Sequence, residues 1–127
     1  MDPYQTHGAF SWSELTTPDP SKASVFYGAL FGWKVETMDM GTGPYHVVKA
    51  GDTSVGGLMA PPPGAPAMPP AWVPYVTVND VDATAKQCAE LGGTVCVPPM
   101  DIPTVGRMAV LQDPQGAVIN VITYKMG

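Results

Sequence analysis

Few residues of this chain are of the types that do chemistry, and their spacing narrows what that chemistry can be. The two cysteines, Cys88 and Cys96, form no CxxC or CxxH pair, so neither a structural zinc site nor a disulfide framework is expected. Two reduced thiols in a cytoplasmic protein are the expectation. Of the two histidines, His7 precedes the first strand-like run and His46 lies in the third. A place on a surface strand is the plainer explanation of His46, and at a pocket mouth it would be the best acid–base candidate. Glu14 is a carboxylate that desolvation would move toward general-base range, unless it pairs with a lysine or meets solvent at a rim. Arg107, just after Pro103-Thr104-Val105-Gly106, could hold an anionic group or be ion-paired. Trp12 and Tyr75 are aromatic side chains of the kind that stack on planar ligands, and Thr77 and Asn120 are polar. Trp12 also reads as a core plug, and Tyr75 and Asn120 as ties between strands.

These residues need elements to position them. Residues 10–16 (FSWSELT) alternate as a strand does and stop before Pro18. Asp19-Pro20 is a helix start, an acceptor side chain followed by a residue suited to the first helical position. Ala23, Phe26, Tyr27, Leu30 and Phe31 recur on one helical face, and Gly32 ends the helix. Strand-like runs follow at 33–39, 45–50 and 54–60. Residues 61–70 (PPPGAPAMPP) carry six prolines and predict an extended connector, with a PxxP ligand motif as the alternative. The pattern then restarts. A strand at 72–78 leads to a helix capped by Asp80 and running to about Leu91, with Ala85, Cys88 and Ala89 inward. Gly92-Gly93 closes it, and strands follow at 94–97, about 105–112 and 117–124, the last after the turn Asp113-Pro114-Gln115-Gly116.

The halves superimpose at an offset of 61, Asp19 on Asp80, Leu30 on Leu91 and Gly32 on Gly93. In the last strands the offset is 63, Ser54-Val55 on Ala117-Val118. A duplicated β-α-β-β-β unit is therefore the organising feature. It predicts an α+β domain over 1–127, with units at 9–60 and 71–125.

Composition removes whole classes of partner. The chain has 127 residues, net charge −5 and a charged fraction of 13%, which argues against nucleic acid and against an anionic membrane surface. No apolar run approaches the roughly 20 residues of a membrane span, and MDPYQTHGAF lacks the charged start and apolar stretch of a secretory leader. With 14 glycines and 15 prolines the chain is turn-rich. Cytoplasmic location is the expectation.

The phrases FYGALFGWKV (26–35) after TPDP, VNDVDATAKQCAELGG (78–93) and DPQGAVINVI (113–122), in this order and within a repeat, resemble the vicinal oxygen chelate superfamily. That family includes glyoxalase I, bleomycin and fosfomycin resistance proteins and extradiol dioxygenases. The resemblance covers about residues 9–124. It implies that the two units curl into a cup-shaped mixed sheet, around a cavity where a divalent metal binds substrate oxygens. The family's ligand positions fall here on Trp12, Gly57, Val73 and Asn120. Indole and isopropyl groups carry no usable lone pair, glycine has no side chain, and one neutral amide is a weak ligand. The resemblance therefore implies a cup with no metal and no cofactor.

In the family register the faces bearing Trp12 and Glu14, Val73, Tyr75 and Thr77, and Val118, Asn120 and Ile122 line the cup, an apolar and aromatic lining with a few polar groups. The methionines near strand ends and the linker suit an adaptable rim or plain core filling. Two functions follow. One is binding of a small, partly apolar or aromatic molecule, as bleomycin resistance members do. The other is lyase, isomerase or hydroxylase-like catalysis using Glu14 or His46, or a metal in an unusual position. A filled cup in an accessory domain is the third reading, and a homodimer that covers edge strands is expected.

Overall fold

The computed structural model describes residues 1–39, 43–61 and 69–125. The fold is α+β, with elements β1 (Phe10–Thr16), α1 (Pro20–Phe31), β2 (Lys34–Asp39), β3 (Pro44–Ala50), β4 (Thr53–Met59), β5 (Ala71–Thr77), α2 (Val81–Glu90), β6 (Thr94–Ile102), β7 (Gly106–Gln112) and β8 (Val118–Tyr124). The duplicated β-α-β-β-β order is as the sequence repeat predicts. The chain forms two compact units, Trp12–Val73 and Met1–Ser11 with Pro74–Gly127. Each is described separately.

The expected caps operate. Asp19 accepts from the Lys22 N–H at 3.1 Å with Pro20 opening α1, and Asp80 accepts from the Ala83 N–H at 3.0 Å. Gly32 ends α1 in the left-handed conformation at φ 73°. In the Asp113–Gly116 turn, Asp113 accepts from the Gln115 and Ala117 N–H groups and aims β8 back along β7.

In the unit Trp12–Val73 the strands run in the order β2-β3-β4-β1, with β1 parallel to β4. Its core is Leu15, Val48 and Leu58, against which Ala23 and Tyr27 of α1 pack with Trp33 and Val35. The helical face expected from the sequence divides here. Ala23 and Tyr27 face the sheet, whereas Phe26, Leu30 and Phe31 stay exposed. The other unit has the order β5-β8-β7-β6, with β5 parallel to β8. Val81 and Ala85 of α2 close its core of Val78, Ala109, Leu111 and Val121. Cys88 packs at the edge of that core, but Ala89 faces solvent; Val81, at the first turn, fills the inward row instead. β6 runs on to Ile102, well past the expected end at 97, because two register shifts carry it across Pro98-Pro99. Of the proline-rich connector, residues 62–68 lie outside the described residues. Among the described residues no helix is long and apolar enough to cross a membrane.

Gly106 has φ 156°, and a Cβ there would collide with the Thr123 carbonyl and come within 2.9 Å of the Tyr124 Cα. Gly106→Ala is expected to lower unfolding free energy by about 1–3 kcal/mol in urea titration. Gly28→Ala, on a helical position with only an ordinary contact at 3.4 Å, is expected to be neutral or to stabilise by about 0.5 kcal/mol.

Candidate functional site

Strand pairing decides which side chains share a face. In the unit Trp12–Val73, Glu14 is paired with Gly57, and Gly57 with Val47. Trp12 and Tyr45 stand two residues along on the same face, the one turned away from α1. There the Trp12 indole N–H donates to the Tyr45 hydroxyl at 3.0 Å, and the Tyr45 O–H donates to the Glu14 carboxylate at 2.7 Å. Gly57 makes room for this chain, since a Cβ at that position would run into the Tyr45 phenol. An aromatic ring from β3 therefore lies over the position where the family register places a ligand side chain. A phenol donating to a carboxylate fixes the carboxylate's rotamer.

The partner strands in the other unit repeat this register with different chemistry. Tyr75 is paired with Asn120, and Asn120 with Val110. Thr77 follows, paired with Ile122. Tyr75, Thr77 and Asn120 are all buried, Asn120 being 5% exposed. The Thr77 hydroxyl donates to the Pro3 carbonyl at 2.6 Å, so it anchors the N-terminal segment. Close by, Tyr4 packs edge-on against Tyr124, whose hydroxyl meets Ser11 Oγ at 2.7 Å. Burial pushes the Tyr124 phenol up, against the opposing pull of the Ser11 hydrogen bond.

The sequence candidates thus separate into groups. Trp12 and Glu14 come together through Tyr45, and Tyr75, Thr77 and Asn120 share one face of the second unit. His46 does not join Glu14. It is paired with Leu58, a core residue on the α1 side of the sheet, and its Nδ1 lies 2.9 Å from the Thr37 hydroxyl. Arg107 also lies on a helix side, in line with Ala109 and Leu111. Its Nε and Nη2 donate to both oxygens of Asp82 on α2 at 2.8 and 2.9 Å, and its Nη1 to Asp101 at 3.0 Å. Its guanidinium holds the Asp82 carboxyl below the usual range. The cleft beside it, about 530 Å³, is one where the cation is already matched by two carboxylates. His7 accepts from the Asn79 backbone N–H at 2.9 Å.

Tyr45 is the residue that sequence reasoning missed. The signal was the pair Gly56-Gly57 inside a strand, which marks a place where something approaches closely. At Gly56 the close neighbour is the Ser13 carbonyl, which a Cβ would meet at 2.5 Å, and at Gly57 it is the phenol. The donor set does not fit a metal: a glycine covered by a phenol, a valine, an indole and one amide supply no cluster of anionic or imidazole ligands. Among the described residues no three of His, Cys, Asp and Glu gather closely enough to share an ion.

The profile of the Glyoxalase/Bleomycin resistance protein/Dioxygenase superfamily matches residues 9–121. The chain is 47% identical over 116 residues to "Putative glyoxylase CFP32" of Mycobacterium tuberculosis, covering 91% of this chain and 44% of the relative. It is 34% identical over 127 residues to "Anthracycline biosynthesis protein DnrV" of Streptomyces peucetius, covering 90% of this chain and 46% of the relative. The chain therefore spans less than half the length of these relatives. Among solved structures, hypothetical protein BH1468 from Bacillus halodurans superimposes with a TM-score of 0.70 at 12% identity, covering 96% of this chain and 98% of that one. Methylmalonyl-CoA epimerase from Mycobacterium tuberculosis does so at 0.63 and 15%, covering 91% and 86%. At these identities the likeness is one of fold.

Two outcomes test the geometry. Gly57→Ala is expected to displace the phenol and Tyr45→Phe to remove both hydrogen bonds, so both should shift Trp12 emission, read against a Trp12→Phe background. Tyr45→Phe is expected to destabilise by about 1–2 kcal/mol in urea titration, one bond being to a charged acceptor. The Asp82–Arg107 pair contributes stability above the unfolded aspartate pKa and loses it as pH falls through the depressed folded value. Urea midpoints at pH 7 and pH 3 should therefore differ less in Arg107→Met than in the parent chain.

Proposed function

The chain belongs to the glyoxalase/bleomycin resistance protein/dioxygenase superfamily, and from that premise we propose that it binds a small, partly apolar or aromatic molecule without a metal ion. The observation that carries this is the Trp12–Tyr45–Glu14 chain lying across Gly57. Where an ion would need a cluster of anionic or imidazole ligands, this sequence supplies two aromatic rings and a single hydrogen-bonded carboxylate. Such a surface takes a flat ring by stacking, and Glu14 accepts from a hydroxyl or amine at its edge. The Streptomyces relatives are named for anthracycline biosynthesis, and anthracyclines are flat, fused-ring molecules; a ligand of that shape is the class proposed here.

A second reading has its own support. The 2.7 Å bond from the Tyr45 hydroxyl fixes the Glu14 carboxylate, and a fixed carboxylate beside a phenol can take a proton from a bound ligand and return it. On this reading the chain is an isomerase or lyase whose base is Glu14. His46, on the other face of the sheet, has no part in it.

Titration with a hydroxyanthraquinone, read by tryptophan quenching, separates these ideas. Saturable quenching in the micromolar range, unchanged by chelator and largely lost in Trp12→Phe, is the expected result. Glu14→Gln should keep binding within a few-fold on either reading, and abolishes turnover only if the second holds. Binding that requires an added divalent ion would overturn the metal-free proposal.

A further inference from the structure

The residues that precede β1 lie against the second unit, and their own hydrogen bonds fold them. The Asp2 carboxylate accepts from the Tyr4 N–H at 3.0 Å, and the Asp2 carbonyl accepts from the Gln5 N–H at 3.1 Å and the Thr6 hydroxyl at 2.7 Å. The Ala9 N–H then donates to the Thr6 carbonyl at 3.1 Å. Gly8 joins this knot to the strand in the left-handed region at φ 89°, with open space where a side chain would stand.

The place they cover is the face of that unit's sheet turned away from α2. Val121 belongs to the core under α2, so alternation along β8 turns Ile122's side, with Asn120 and Tyr124, the other way, and Thr77 is paired with Ile122 beside them. There the Thr77 hydroxyl donates to the Pro3 carbonyl at 2.6 Å, and the Tyr4 ring stands edge-on to Tyr124 with centroids 5.0 Å apart. Two backbone donors hold the far end, the Asn79 N–H on His7 Nδ1 at 2.9 Å and the Gly8 N–H on the Thr77 carbonyl at 2.8 Å. Burial is lopsided across this contact. Thr77 is 4% exposed and Ile122 3%, whereas Tyr4 is 39% exposed and no residue of 1–9 is buried.

A segment held by a few polar bonds and one ring contact, with no side chain in a core, opens more easily than the sheet beneath it. We propose that it is a displaceable strap, and that Pro3 and Tyr4 occupy a site on the second unit whose ligand is an aromatic ring carrying a carbonyl a few bonds away. The occupant defines that chemistry. The Pro3 carbonyl is the acyl group on the Tyr4 nitrogen, so the pair presents an N-acyl tyrosine, its oxygen on Thr77 and its ring against Tyr124. Once the strap leaves, the Thr77 hydroxyl needs another acceptor and the Tyr124 ring another neighbour. A ligand with both groups restores both contacts, and one without the carbonyl leaves the hydroxyl unmatched. This site stands on other strands than Trp12 and Glu14 and does not rest on ring binding there.

Amide hydrogen exchange and chemical shifts of the full chain supply the test, with N-acetyltyrosinamide as the probe. The Gly8 and Asn79 N–H groups, which bond across the strap contact, are expected to exchange at least about 100-fold faster than that of Val121 in β8. Millimolar probe is expected to shift the Thr77, Asn79 and Tyr124 resonances and to speed exchange at Gly8 and Asn79, because ligand and strap compete for one place. N-acetylalaninamide, which has no ring, is expected to do neither, and Trp12→Phe to change none of these readouts. The double variant Tyr4→Ala with His7→Ala, at two exposed positions, is expected to bind the probe about 10-fold more tightly than the parent, its competitor being weakened. The readouts on the parent chain need no variant to fold. Exchange at Gly8 and Asn79 no faster than at Val121, a probe that leaves that exchange unchanged or slows it, equal effects of N-acetylalaninamide, or equal probe affinity in parent and double variant overturns the proposal.

Discussion

A glycine inside a strand leaves a gap on the sheet, and the fold has to fill it with something. At Gly57 the filler is the ring of Tyr45, which reaches from the neighbouring strand and is held by the Trp12 indole on one side and the Glu14 carboxylate on the other. Much in the site depends on that one missing side chain. With a Cβ at this position the phenol has no place to lie, the indole loses its acceptor, and the carboxylate loses the donor that sets its orientation. Burial of a polar chain of this kind is stable because each member satisfies the next.

The second unit uses the same strand register for a different end. Glu14 with Gly57 and Tyr75 with Asn120 are equivalent pairs in parallel neighbouring strands. One pair leaves a gap for a third residue. The other is closed by its own side chains, with Thr77 spent on anchoring the segment before the first strand. Duplication thus supplied two similar frames, and a handful of substitutions gave them different work. The same divergence appears on the outer surfaces, where α2 is charged and ties Asp82 to Arg107 of β7, while α1 is apolar.

Arg107 and His46 illustrate how a residue's chemistry is set by the face it occupies. Both are of types that serve at sites. Each stands on the helix side of its sheet, one neutralised by two carboxylates and the other beside Thr37 in line with a core leucine. The parity argument applied to Trp12 and Glu14 in the first strand applies equally here, and one residue of register is enough to exchange the faces.

The order of elements, the helix caps at Asp19 and Asp80, the glycine ends and the duplication were legible in the residues, because each depends on local backbone chemistry or on periodicity along the chain. That Trp12 and Glu14 share one face of the first strand, and Tyr75 and Thr77 one face of β5, was legible too, since alternation along a strand decides it. The tertiary structure alone decided that Tyr45 fills the space over Gly57, that Arg107 is matched by Asp82 and Asp101, and that Phe26, Leu30 and Phe31 face water while Ala23 and Tyr27 face the sheet. Those outcomes depend on which strands are neighbours and on how a helix is rotated against its sheet. Both are settled by contacts between residues far apart in sequence, which no local pattern encodes.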